Sequence, residues 1–238
     1  MYSGNSYKNF PKFYDLLYQR YFKSIPDFIA LVKKNTPKGG FILDLAAGTG
    51  EVTIPLLKNG FKVISLDLSE GMLKELKLKA KQKGIKNYHT ISLDMQKVGY
   101  QDKFDSICIR QAINYFIGTK TLEVGLKNIF IALKKGGKFI FNAPNYQGEK
   151  EYPIISNYYE KEGLKAFVLE MNSVNKKLLK HKQYSIVWDN NKKPSFINDE
   201  NSFYMFTKKE FITVLNKCGF SKLEFNDLGK TLYCIATK

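Results

Sequence analysis

The chain has 238 residues, 44% of them hydrophobic, enough to bury one substantial core with room for a small insertion. Its formal charge is +16, but Arg20 and Arg110 are the only arginines, and the lysines spread along helix faces such as Lys74, Lys77 and Lys81. That pattern reads as a solvated surface; it disfavours a nucleic-acid substrate and leaves a small anionic substrate, carrying phosphate or carboxylate, compatible. No apolar run approaches the roughly 20 residues of a membrane span, and residues 1–8 show no apolar signal core. Cys108, Cys218 and Cys234 are odd in number and scattered, so they give neither a disulfide framework nor a metal motif. The expectation is a cytoplasmic, reducing setting, no membrane partner, no metal site, and a monomer or homodimer.

In chain order, residues 10–22 and 24–34 read as two helical pieces, with Pro26 near the start of the second. Residues 37–40, Pro-Lys-Gly-Gly, form a turn. Strand and helix then alternate from 41 to 142, which implies a parallel sheet with right-handed crossovers. Strands are expected at 41–45, 61–67, 88–93, 104–109 and 138–142, with a helix opening at Glu51 and another near Ser69. Pro144 ends the alternation. Residues 145–206 are polar, Asn-rich and aromatic-rich; 164–169 reads as a short helix, 178–187 and 202–206 as strands, and 189–194 as a turn. Thr207 and Glu210 form a capping box and Gly219 closes that helix. Strands 220–226 and 231–237 close the chain as a hairpin.

The densest signal is the corner Phe41-Ile-Leu-Asp-Leu-Ala-Ala-Gly-Thr-Gly50. A buried strand, an acid near its carboxyl end, a loop of small residues and a helix start make a nucleotide-binding corner of an α/β sheet. Glycines there let the backbone approach a ligand. A dinucleotide fingerprint needs a third glycine where Thr53 stands, and a phosphate loop needs Gly-Lys-Ser/Thr where Gly50-Glu51-Val52 stands. The second strand ends in an acid, Asp67, seventeen residues after Gly50.

The pattern Asp44-x-Ala46-x-Gly48-x-Gly50 resembles motif I of the class I S-adenosylmethionine-dependent methyltransferases. Asp67-Leu68-Ser69, with Met72 following, resembles the family's second landmark, Asp94-Met95 its third acid, 104–109 its fourth strand, and the Gly136-Gly137 turn its entry to the fifth. The resemblance covers most of the chain. It implies a Rossmann-like α/β fold: a seven-stranded, mostly parallel sheet with helices on both faces, an antiparallel last strand, and a small antiparallel β insertion after strand 5. The expected division is 1–144 for the N-terminal lid helices and the cofactor-binding core, 145–206 for a substrate roof, and 207–238 for completion of the core.

The resemblance also implies roles. S-adenosylmethionine (SAM), with S-adenosylhomocysteine as product, would sit against Asp44, Ala46, Gly48, Gly50, Asp67, Leu68, Met72, Asp94 and Met95. Tyr14-Asp-Leu-Leu-Tyr18 and Arg20 resemble the lid of small-molecule N-methyltransferases acting on amino sugars or glycine, so Tyr14 would close the site and Arg20 would reach the methionine carboxylate. The loop after strand 4 supplies Arg110, at the methionine end or on an acidic group of substrate, and Gln111, Asn114 and Tyr115 near the acceptor. Tyr14, Arg110, Asn114 and His181 are the candidate catalytic side chains, and Trp188 and Tyr204 join the acceptor-binding set. His181 reads more readily as an exposed strand residue, and His89 lies at the wrong end of its strand. With so few bases, an amine acceptor is favoured over a hydroxyl. The expected function is methyl transfer to a small molecule, an amine of a sugar or nucleotide-linked sugar. The alternatives are O-methylation of a sugar or phosphorylated metabolite, RNA methylation, and a SAM-fold protein without turnover.

Overall fold

The computed structural model describes residues 10–145, 154–189 and 193–238. A seven-stranded sheet is built from β1 (Phe41–Leu45), β2 (Lys62–Asp67), β3 (His89–Ser92), β4 (Phe104–Arg110), β5 (Leu133–Pro144), β10 (Ser221–Leu228) and β11 (Thr231–Thr237). Their spatial order is β10-β11-β5-β4-β1-β2-β3. β1 to β5 run parallel, and β11 is antiparallel to both β5 and β10.

Period-2 alternation sends β1 side chains to both faces. Ile42 packs with Val63, Cys108 and Ile140 under α2 (Ile25–Lys34) and α3 (Thr53–Lys58). Leu43 and Leu45 face the other way, against α5 (Thr119–Ala132) and α6 (Lys208–Lys217). This is the expected Rossmann-like sheet, buried on both faces. The capping box forms as the sequence indicates: Thr207 Oγ1 accepts from the Glu210 N–H, and Glu210 accepts from the Thr207 N–H.

A second, four-stranded antiparallel sheet follows β5: β6 (Ile155–Lys161), β7 (Leu164–Asn175), β8 (Leu178–Trp188) and β9 (Ser195–Tyr204), in that order. Here the local reading needs correction. Residues 164–169 are strand, not helix. Lys161 pairs with Leu164 across a two-residue turn in which Glu162 and Gly163 both have positive φ, the geometry of a tight hairpin. Leu, Lys, Ala and Glu favour helix locally, but pairing with strands on both sides overrides that preference. β9 begins at Ser195 rather than 202, β6 had no sequence counterpart, and part of the expected 189–194 turn lies outside the described residues. The first expected helix is three short pieces: a 3-10 turn at Pro11–Phe13, α1 (Tyr14–Leu17) and a 3-10 segment at Gln19–Ser24. Phe10, Leu16 and Leu17 from this stretch bury against Ala166, Val168, Val187 and Ile197 of the second sheet.

Under the corner lies a buried polar cluster. Asp44, 1% exposed, accepts from Thr53 Oγ1 at 2.6 Å and from Cys108 Sγ at 3.6 Å, and Thr53 also meets Ser65 Oγ at 2.8 Å. Burial raises the Asp44 carboxyl to about 6, against the opposing pull of those hydrogen bonds. A carboxyl whose folded value exceeds its unfolded one stabilises the fold below the unfolded value and loses that stabilisation as pH rises through the folded one. Asp44→Asn should therefore be more stable than the parent above about pH 7, by on the order of 2–3 kcal/mol, with the gain vanishing near about pH 4. Urea unfolding of both proteins across that range measures it; an Asn variant destabilised equally at both ends would contradict the assignment.

Candidate active site

The carboxyl ends of β1, β2 and β4 open into a cavity of about 320 Å³ that the second sheet covers. Its core-side wall includes Ala46, Gly48, Asp67, Leu68, Met72, Asp94 and Met95. Tyr14 and Arg110 lie in the wall, followed by Gln111, Asn114 and Tyr115, and His181 enters from the roof. The corner has the backbone such a wall requires. Ala46, Gly48 and Gly50 all have positive φ, and a Cβ at Gly48 would point into open space with no atom within 4 Å.

Asp67 braces this corner. Its Oδ2 accepts from the Gly48 N–H and its Oδ1 from the Ser69 N–H, both at 2.8 Å. Burial raises its pKa while those hydrogen bonds oppose the rise. A carboxylate offers about four lone-pair sites, so acceptance from the backbone of Gly48, Leu68 and Ser69 still leaves room for a further donor.

Five expected residues stand outside the wall. Arg20 turns from the cavity and forms an ion pair with Glu170 of β7, because that buried carboxyl, 1% exposed, requires a partner. Asp44 lies beneath the corner. At Gly50 a Cβ would collide with Leu76 Cγ at 2.8 Å, so this glycine serves packing. Trp188 pairs with Lys165 at the end of β8 and its ring packs beside Tyr158. Tyr204 contributes its backbone oxygen to Asn114 Nδ2 at 2.7 Å, and its ring packs on Phe206.

Other side chains join that the sequence reading gave no role of their own in the site. Tyr18 and Tyr21 continue the face of Tyr14, and Asn172, Leu179 and Phe203 enter from the roof. The spacing 14, 18, 21 is helical and could have found the tyrosines; the roof residues depend on strand register that composition did not reveal. Gln111 is held at φ 54 by a bond from its N–H to Asn142 Oδ1 at 2.8 Å, a backbone state associated with functional loops. Arg110 donates to the Tyr21 carbonyl and to Ser24 Oγ at 3.2 Å, and its Nε has no partner among the described residues. Burial lowers the Arg110 pKa and raises that of the Tyr14 hydroxyl. The described residues contain no cluster of three or more His, Cys, Asp or Glu suited to a metal, and no helix long and apolar enough to cross a membrane.

Residues 42–137 match the family model of a methyltransferase domain. The chain is similar to the YqeM protein of Bacillus subtilis (strain 168), 27% identical over 194 residues that cover 79% of this chain and 76% of that protein. Among solved structures it is similar to a SAM-dependent methyltransferase from Clostridium acetobutylicum ATCC 824, with a TM-score of 0.80, 23% identity, and 96% and 97% of the two chains covered. It is also similar to the sugar N-methyltransferase KedS8 from Streptoalloteichus sp ATCC 53650, with a TM-score of 0.77, 16% identity, and 93% and 92% covered. The sheet order and the glycine corner give the chain the fold of the class I SAM-dependent methyltransferases, residues 42–137 match a methyltransferase domain, and SAM is the cofactor that this fold implies. The corner fits that group: Gly48 leaves space for it and Asp67 retains an accepting lone pair beside it.

His181 is not exposed, as its sequence position suggested, but 7% accessible and part of the cavity wall. Its Nδ1 lies 2.9 Å from Asn172 Oδ1, so Nδ1 carries the proton. Burial, aided by the Arg20 charge, lowers its pKa to about 4. A depressed histidine contributes stability above its unfolded value of about 6.5, lost as pH falls toward about 4. NMR should accordingly find the His181 ring uncharged and unchanged from about pH 8 to about pH 5.5; a titration midpoint near its ordinary value would contradict the buried placement.

Proposed function

We propose that this enzyme transfers a methyl group from SAM to an amine of a small molecule, with an amino sugar as the favoured acceptor. One observation carries the reading: a single cavity has Asp67 and Asp94 at its core end and Asn172 and His181 at its roof end. Bound SAM supplies a methyl group made electrophilic by the sulfonium, and the chain's task is to position and enclose. Asp67 receives the ribose hydroxyls and Asp94, beside Met95, the adenine amino group. Arg110 takes the methionine carboxylate, since Arg20 is already committed to Glu170 and the Arg110 guanidinium borders the cavity. Tyr14, stacked on Tyr18 with ring centroids 4.7 Å apart, covers the site and excludes water. The acceptor lies between Gln111, Asn114 and Tyr115 on one side and the second sheet on the other. Holding a lone pair on the methyl axis supplies much of the rate.

Nitrogen is favoured because the only imidazole in the wall is a weak base, with its pKa lowered to about 4. An amine sheds its proton to water before attack, whereas a hydroxyl benefits from a stronger base. Similarity to the sugar N-methyltransferase KedS8 extends over 93% of this chain, so the alignment takes in most of the roof as well as the core.

Asp67→Ala should weaken SAM binding about ten- to a hundredfold, the loss of a charge-assisted contact worth roughly 1.5–3 kcal/mol. Calorimetry reads it, with circular dichroism confirming the fold. Unchanged affinity in the folded variant would reject the ribose assignment. Mass spectrometry of products, with fragmentation to place the added CH2, separates N- from O-methylation.

A further inference from the structure

Asn172 is a polar residue at an inward position of the roof sheet. It pairs with His181 of β8, which pairs in turn with Asn201 of β9. Elsewhere on the same face β7 turns Ala166 and Val168, both fully buried, against the apolar side chains of the N-terminal segment. Of the three members of the polar rung, Asn172 and His181 line the cavity. Asn201 is spent within the sheet, where its Nδ2 donates to Asp199.

The two halves of the Asn172 carboxamide differ in what they meet. Oδ1 accepts from His181 Nδ1 at 2.9 Å, which fixes the plane of the amide. The His181 ring is itself held, buried and with its centroid 6.3 Å from that of Phe203. With Oδ1 turned to the imidazole, Nδ2 is the half left for the cavity, and it donates to no described residue. Across the cavity on the core side, the Asn114 Nδ2 is already committed to the Tyr204 carbonyl at 2.7 Å. An unpaired N–H costs little while water reaches it. Once cofactor and acceptor fill the cavity, that water is displaced, and the N–H needs a new accepting partner. An acceptor molecule that brings an oxygen to this point meets the need, and one without it does not. A site built to hydrogen-bond a substrate group discriminates on that basis.

We propose that Asn172 is a specificity-determining residue whose Nδ2 donates a hydrogen bond to an oxygen of the methyl acceptor. The inference rests on the methyltransferase reading above and deepens it. The acceptor carries an accepting oxygen, of a hydroxyl, ether, carbonyl or anionic group, besides the atom that is methylated. An ammonium group, which has donors only, does not satisfy this position.

The test incubates the enzyme and SAM with a metabolite extract, identifies each compound that gains one CH2, and purifies its precursor for kinetics. The expected precursor has an accepting oxygen apart from the methylated atom. Asn172→Asp keeps an oxygen for His181 and removes both N–H donors. It should lower kcat/KM about tenfold or more, as should Asn172→Leu, with S-adenosylhomocysteine affinity by calorimetry unchanged. Analogues of the precursor, each with one oxygen function deleted, separate direct contact from a packing effect. One of them should be as slow with the parent enzyme as with Asn172→Leu, and the oxygen it lacks shows whether the group is neutral or anionic. Parental kcat/KM in either variant, the absence of any such analogue, or precursors with no second oxygen would overturn the contact and leave methyl transfer standing. Loss of S-adenosylhomocysteine binding in both variants, with the fold intact by circular dichroism, would place Asn172 on the cofactor and overturn the contact too. If neither variant folds, the analogues decide with the parent enzyme: a tenfold loss for one supports the contact, and parental rates for all overturn it. No methylated product from an enzyme that binds SAM would overturn both readings.

Discussion

The backbone N–H groups of two loops that converge on Asp67 fix the geometry on which the site depends. One loop contributes Gly48 in the corner after β1 and the other Ser69 at the start of α4 (Glu70–Gln82), so a single carboxyl ties two loops at one sheet edge. A second tie reaches outward. Thr49 Oγ1 donates to Asp15 at 2.7 Å, and Lys79 joins Asp15 and Glu51, which fastens the N-terminal segment to the same corner. The corner, the covering tyrosines and the start of α4 therefore form one connected unit. That arrangement suits orientation catalysis, in which small displacements of the partners are expensive.

The roof reaches the N-terminal segment through a different chemistry. Leu16 and Leu17 are buried on its apolar rungs, while Tyr18 reaches Asp199, and Arg20 with Tyr21 reaches Glu170. A buried carboxyl without Arg20 would remain uncompensated, so this pair specifies how the segment crosses the roof more than it stabilises the fold. The same constraint explains why Arg110, and not Arg20, is the arginine that faces the cavity.

Much of the core was legible because its signals are local. The 41–50 corner, the acid ending β2, the capping box at Thr207 and the closing hairpin each occupy a few consecutive residues, and hydrophobic runs marked the strands between them. The roof was less legible because its strands violate the usual pattern. β7 turns Glu170 and Asn172 inward and leaves Phe167 and Met171 exposed, so apolar and polar residues do not sort by face. Register, set by the tight turns and by pairing with β8, brings Asn172 to His181. No local pattern announces that contact, and the choice between Arg20 and Arg110 likewise depends on a partner 150 positions away in the chain.

A crystal structure with S-adenosylhomocysteine bound tests the central claim most directly. The account predicts the ligand in the cavity, its ribose hydroxyls within hydrogen-bond distance of Asp67, its carboxylate on Arg110, and its sulfur directed toward the space between Asn114 and the Asn172–His181 pair. A ligand whose ribose lies away from Asp67, or whose sulfur faces away from the roof, would contradict it.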